Sequence, residues 1–391
     1  MFDAAFFRDP YPVYDKLREN GPVQRIDEAM GSLPTWLITG YAEARSALAD
    51  PRLSKDTRRF QHIFDQAGST RNISPAVSAT MVATDPPDHT RLRKLAASAF
   101  TPAVVDGMRP RVQQLTSELL DTIEPDGHAD LIETFAAPLP VTVISELLGV
   151  PEPDRADLRH WSNANFAAGD PARRDEASHA ITAYMTGLIA TRRAAPGDDL
   201  LSALIAARDD GDQLSEHELV SLAVLLLIAG HETTTSLIGN AVLALLLHPG
   251  QRAALRADPA LVPAAIEEFL RYDPPAATAT IRFTAEPVTF GDVTIPADQI
   301  VLVSLGAANH DPARFYWPDQ LYIKRNATGH LAFGHGLHFC LGARLARTEA
   351  EIALQALLNR FPRLCIDADP ATLPWRQSRL MRGLQRLPVR W

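Results

Sequence analysis

The stretch FGHGLHFCLG, Phe333 to Gly342, holds one of only two cysteines in 391 residues, set among three glycines and two histidines. Directly after it comes ARLARTEAEIALQALLNRF, residues 343–361, whose apolar spacing predicts a helix. A cysteine at the start of a helix meets the positive end of the dipole and unpaired backbone N–H groups, which stabilise a thiolate. Gly334, Gly336 and Gly342 are expected to adopt unusual dihedrals and to let the chain approach a flat ligand closely. Zinc would need three or four protein ligands. Cys365 is the only other thiol, no CxxC exists, and His335 and His338 are too isolated to complete such a set. A single axial thiolate is what a haem iron accepts. Taken alone, the thiol could equally be a structural cysteine at a helix start.

The rest of the composition bounds the answer. With 46% apolar and 22% charged residues the chain reads as globular with a sizeable core, either one large domain or two. A net charge of -9 argues against a nucleic-acid binder, which needs clustered Lys and Arg. Two cysteines cannot make a disulfide scaffold, so a reducing cytoplasm is expected. The N-terminal MFDAAFFRDPYPVYDKLREN lacks a basic and then apolar leader, so neither signal peptide nor anchor is expected. Leu219 to Leu247 resembles a membrane span, yet GHETTTS puts His231, Glu232 and four hydroxyls at its midpoint. A long buried core helix is the better reading.

Strand signals appear in PTWLITGY and in VTFGDVTIPADQIVLVSL, the latter with Gly291-Asp292 at a hairpin. Helical periodicity dominates elsewhere, from YAEARSALAD through HTRLRKLAASAF, RPRVQQLTSELLDTI and LPVTVISELLGV to PALVPAAIEEFLRY. Prolines such as Pro151, Pro196 and Pro249 punctuate these windows rather than interrupt them. With no repeat or Gly/Ser linker, a single helix-rich domain is favoured.

The pattern F-x-x-G-x-x-x-C-x-G, filled by Phe333, Gly336, Cys340 and Gly342, resembles the haem-ligand signature of the cytochrome P-450 monooxygenases. DPYPVYDKLRENGPV, DPPDHTRLRKL, VISELLGVPEPD, AGHETT, EEFLR and AANHDPARF look like further landmarks of the soluble bacterial branch, in its order. The resemblance implies a mainly α fold with small β-sheets (α+β), a triangular helical prism in which residues 1–391 form one haem domain. Cys340 then ligates the iron of haem b, and the chain looks most like actinobacterial enzymes that tailor macrolides and other polyketides. The implied reaction inserts one oxygen atom from O2 into a C–H bond or an alkene.

The same resemblance assigns the remaining residues. Ala229 and Gly230 remove bulk from the long helix so that a haem face can pack there, and glycine plus hydroxyls invite a local widening. Glu232 and Thr233 are the acid and alcohol that relay protons, because breaking the O–O bond consumes two protons in a water-excluding site. Glu268 and Arg271 read locally as a surface pair. In the family they are buried and lock the region below the haem with an arginine, for which Arg325 is the candidate, although YWPDQLYIKR departs from the usual run there. His89, Arg93, Arg282 and His338 would converge on the haem propionates. Phe333 and Gly334 frame the ligand loop. Leu225, Ala276, Ala277 and Leu380 would line the substrate pocket, with the segment from Phe60 to Met81 and WSNANFAAGD setting specificity.

Electrons from NAD(P)H must arrive through separate proteins, since neither a flavin nor an iron-sulfur motif is present. A ferredoxin with its reductase, or a flavodoxin, is implied, and the chain is expected to be monomeric. Arg91, Lys94, Arg109, Arg111, Arg344 and Arg347 form a candidate basic dock. A peroxide-driven peroxygenase and a non-catalytic haem sensor or carrier stay open at this point.

Overall fold

The computed structural model describes residues 3–30, 33–66, 72–166, 171–211 and 214–391. The chain forms two compact units, one of Met1–Leu53, Val105–Leu139 and Thr233–Trp391, the other of Ser54–Val104 and Pro140–Glu232.

The first unit carries the sheets. Its five-stranded sheet runs Val23–Met30, Leu33–Ile38, Ile300–Val303, Arg282–Thr284 and Leu53–Ser54 in spatial order. Leu33–Ile38 and Ile300–Val303 pair in parallel, with Trp36 opposite Val301, and the other registers recorded in this sheet are antiparallel. Ile300–Val303 is buried on both faces, which explains why IVLV is continuously apolar rather than alternating. Val288–Phe290 and Val293–Ile295 form the hairpin expected from the sequence, turned by Gly291 at φ 57°. A third sheet joins His128–Asp130, Pro388–Arg390 and Cys365–Ile366.

Helices make up most of the second unit and are the commonest element of the first, in the windows that periodicity predicts. Tyr41–Ala49, Asp88–Ala97, Pro138–Leu147, Val262–Tyr272 and Ala343–Arg360 all form. Pro151, Pro196 and Pro249 do stand at helix boundaries. Pro110 does not: it lies inside Pro102–Ile123, where its ring removes one backbone donor without ending the helix.

The apolar stretch around residues 219–247 belongs to one helix, Glu216–Leu247. It is long and apolar enough to cross a membrane, yet 72% of its most apolar window is buried inside the protein. The expected local widening near Gly230 is not seen. The helix stays α throughout, and the π-turn among the described residues lies at Ile132–Ala136 instead.

Candidate active site

The loop around Cys340 is shaped by its backbone. Gly334 and Gly336 both sit at φ 73°, a region that side chains resist. A Cβ on Gly336 would also stand 3.0 Å from Ala49 Cα and from the Leu48 carbonyl oxygen, so glycine is required twice over. Gly342 corrects the expectation. Its φ is -84°, which any residue adopts, but a Cβ there would meet no protein atom within 4 Å, leaving a cradle beside the thiol. The Cys340 N–H donates to the Phe333 carbonyl at 2.9 Å and so closes the loop. Cys340, Leu337 and Phe339 are accessible, so apolar side chains flank the thiol in sequence. Helix Ala343–Arg360 starts three residues later, with no side chain capping it.

Beneath this loop lies a buried ionic knot. Glu268 and Arg271 are both 0% exposed, so the surface reading of this pair is wrong. Arg271 grips both Glu268 oxygens, Nε to Oε2 at 2.7 Å and Nη2 to Oε1 at 2.9 Å, and donates to the carbonyls of Asn309, Pro318 and Gln320. Arg325 joins them, its Nε 3.1 Å from Glu268 Oε1. Its other nitrogens reach the carbonyls of Tyr316, Trp317 and Gln320, so the altered YWPDQ run still meets this arginine, through its backbone.

Other predicted residues of this unit gather in two places. Arg282 is buried in its strand and donates to the Leu48 carbonyl at 3.2 Å, while His338 ends the short 3-10 turn Gly336–His338. Ala277 N–H donates to the Leu380 carbonyl at 2.9 Å and Ala276 bridges Met381, which brings Ala276, Ala277 and Leu380 together.

Along helix Glu216–Leu247, every residue from Leu219 to Leu245 is buried except Leu225, Ile228, Ala229, Gly230 and Thr233. Leu225, Ala229 and Thr233 are spaced i, i+4, i+8 and so share one face. The accessible stripe therefore reads apolar, small, hydroxyl, while Thr234 and Thr235 point into the interior. Glu232 is buried with its Oε1 3.3 Å from His231 Nε2, and His231 Nδ1 bonds back to the Leu227 carbonyl. A Cβ on Gly230 would come within 2.7 Å of Ile144, so that side chain fills the room on the Cβ side of this partly exposed glycine.

In the second unit, His89 is fully buried on helix Asp88–Ala97, four residues before Arg93, so the pair is not a solvated face. Burial first, and then the Arg93 charge, hold the His89 imidazole below its ordinary pKa. The segment from Phe60 to Met81 and WSNANFAAGD fall partly outside the described residues, at 67–71 and 167–170. Most of the expected basic dock is already neutralised. Arg344 pairs with Asp106, Arg347 with Glu267, Arg109 with Glu351, Arg111 with Glu118, and Arg91 with Glu218.

One cluster was missed in the sequence. Glu267 holds Arg347 through two bonds of 2.6 and 2.9 Å and receives His330 Nε2 at 3.2 Å. The double glutamate of EEFLR was the available signal.

An accessible thiol beside an open cradle, with a buried arginine and a histidine in the same unit, is a donor set that fits a flat, anionic iron macrocycle. The class it defines is the haem-thiolate oxygenases. The sequence model of the family "Cytochrome P450" matches residues 170–377. The chain is 53% identical over 393 residues to "Cytochrome P450 107B1" of Saccharopolyspora erythraea, covering 100% of this chain and 96% of that one. It is 39% identical to "Polyketide biosynthesis cytochrome P450 PksS" of Bacillus subtilis, with 98% and 96% covered. The solved structure of the tirandamycin C-bound P450 monooxygenase TamI superposes with a TM-score of 0.94 at 47% identity, covering 99% of this chain and 98% of that one. The chain belongs to the cytochrome P450 family and has its fold. It is a monooxygenase, an oxidoreductase that uses haem b and takes electrons from NAD(P)H through separate redox proteins.

Proposed function

We propose that the substrate is a bulky, largely hydrophobic polyketide, with macrolides foremost, oxidised at a C–H bond or an alkene. The observation that carries this reading is the accessible stripe of the long helix, where Leu225 and Ala229 offer apolar surface two turns and one turn before the Thr233 hydroxyl. Ala276, Ala277 and Leu380 supply further small or apolar surface. The names of PksS and of tirandamycin C-bound TamI point to the same substrate class.

Cys340 would hold the iron through its thiolate, in a loop framed by Phe333, Gly334 and Gly342, and Arg282 and His338 would bind the propionates. When bound, the haem activates dioxygen for insertion of one atom into the substrate. Thr233 would hold a water by its hydroxyl and pass a proton into the site, with Glu232 as the acid that replenishes it. A partly exposed hydroxyl next to a buried carboxyl suits that task, because protons enter while bulk water stays out.

A ferredoxin with its reductase, or a flavodoxin, would bring the electrons to a monomeric enzyme in the cytoplasm. We infer one functional domain, because the two units interleave along the chain and no single cut separates them.

The test is coupling. Thr233→Ala and Thr233→Val should both bind haem and a polyketide substrate, seen as displacement of the iron-bound water in a spectral titration. Both should release hydrogen peroxide in place of product per NAD(P)H consumed, whereas Thr234→Ala and Thr235→Ala stay coupled. Unchanged coupling in the Thr233 variants removes it from the proton path. Water displacement by steroids but by no polyketide in the panel overturns the substrate class.

A further inference from the structure

The loop that presents Cys340 is closed by more than its own hydrogen bond. His330 precedes it and Arg347 follows it, the latter one turn into helix Ala343–Arg360. Both side chains end on the single carboxylate of Glu267, which projects from helix Val262–Tyr272.

The geometry fixes what each partner does. Ala332 N–H donates to His330 Nδ1 at 3.2 Å, so that nitrogen is a lone pair and the proton sits on Nε2, facing Glu267 Oε2 at 3.2 Å. Arg347 presents Nε and Nη2 as a fork to the two carboxylate oxygens, an arrangement lysine cannot reproduce. Its guanidinium lies 4.5 Å from the centre of the Phe333 ring, within cation–π range. Phe333 in turn accepts the Cys340 N–H. The chain of contacts runs from Glu267 through Arg347 to Phe333, and from its carbonyl to the backbone of Cys340.

We propose that Glu267 is a positioning residue for Cys340, a carboxylate clamp that clasps the cysteine loop where it enters at His330 and where it leaves at Arg347. The proposal rests on the haem-thiolate reading of Cys340. The Arg344–Asp106 pair at the start of helix Ala343–Arg360 lacks this geometry: it is half exposed on both sides and ties the helix to Asp106 rather than to Glu267.

Glu267→Gln keeps the side-chain volume but cannot accept both arginine bonds as a carboxylate does. In the haem-loaded protein, the fraction of the ferrous–carbon monoxide complex with the red-shifted Soret band of thiolate ligation should fall by about half, the response of a site whose supporting shell has loosened. Hydrogen exchange of peptides spanning 333–340 should report the Cys340 amide opening about tenfold more often. Arg347→Lys should reproduce part of both changes, and Asp106→Asn neither. Wild-type protein without the shifted band refutes the haem-thiolate reading itself. Wild-type protein with the band, and Glu267→Gln with band and exchange unaltered, refutes the clamp, as does an equal loss in Asp106→Asn. Should Glu267→Gln fail to accumulate, Arg347→Lys carries the test by the same two readouts, and no change in it overturns the proposal.

Discussion

Replacing Glu268 by alanine deletes four hydrogen bonds at once: two from Arg271, one from the Tyr322 N–H and one from Arg325 Nε. Arg271 then remains fully buried with no carboxylate partner, answered by the carbonyls of Asn309, Pro318 and Gln320 and by the rings of Tyr272 and Phe315. Removing one member of a buried ion pair costs about 3–5 kcal/mol, because the survivor keeps its desolvation penalty without compensation. Against a total stability of roughly 5–15 kcal/mol this is a fifth or more of what holds the fold together. With a urea slope of about 3 kcal/mol per M, the midpoint should drop by about 1–1.7 M. Unfolding followed by circular dichroism and by Soret absorbance measures it, and the yield of haem-loaded protein should fall in parallel. Asp106→Asn, which breaks a pair half exposed on each side, should stay within about 1 kcal/mol of wild type. A Glu268→Ala protein with wild-type midpoint and haem content, or one no worse than Asp106→Asn, refutes the reasoning from burial.

Cys340→His should lose the red-shifted ferrous–carbon monoxide band, and Cys365→Ser, whose Sγ reaches only the Arg390 carbonyl at 3.6 Å, should keep it; the reverse pattern sinks the ligand assignment. Gly230→Ala gains up to about 1 kcal/mol in helix propensity but drives a methyl into Ile144, a clash costing roughly 1–3 kcal/mol. Thermal midpoints should therefore fall in Gly230→Ala, and the further loss that Gly230→Ala adds to Ile144→Ala should be smaller than its loss in wild type; a stabilised single variant would show that Ile144 moves aside freely. Burial alone would raise the Glu267 carboxyl, yet its bonds from Arg347 and His330 hold it down to about 2. Its folded-state value is depressed, so its stabilisation is fully present above the ordinary carboxylate range and is lost as pH falls toward 2. The stability difference between wild type and Glu267→Gln should thus be level near neutrality and shrink below about pH 5; a difference that grows in acid contradicts the pairing.

What could be read before the structure was what depends on local pattern. The IVLV strand, the Gly291 hairpin, the long apolar helix and the need for glycine at 334 and 336 follow from periodicity and from dihedrals that few residues adopt. Burial of a charge is a tertiary property, and there the local reading fails. Glu268 and Arg271 look like any i, i+3 surface pair until Asn309, Pro318 and Gln320 are folded over them from about 40 to 50 positions away. The same holds for Gly230, whose missing side chain is explained by Ile144 on another helix. Arginines counted as a docking surface are consumed by acids that are mostly distant in sequence, such as Asp106 and Glu267. Composition counts charges but does not say which are already answered.

The interleaving of the two units also bears on how the protein is made. The unit of Ser54–Val104 and Pro140–Glu232 has all its residues once position 232 is synthesised. Its counterpart must hold Met1–Leu53 and Val105–Leu139 unfinished until Thr233–Trp391 arrives, about 8–32 s later at ordinary ribosomal speed. Leu33–Ile38 waits longest, an apolar strand whose parallel neighbour Ile300–Val303 lies more than two hundred positions downstream. Cys340 and the clamp around it emerge later still. The thiol that would hold the haem is thus made only after one unit has all its residues and while the other still has an unpaired strand edge, the kind of edge through which chains associate.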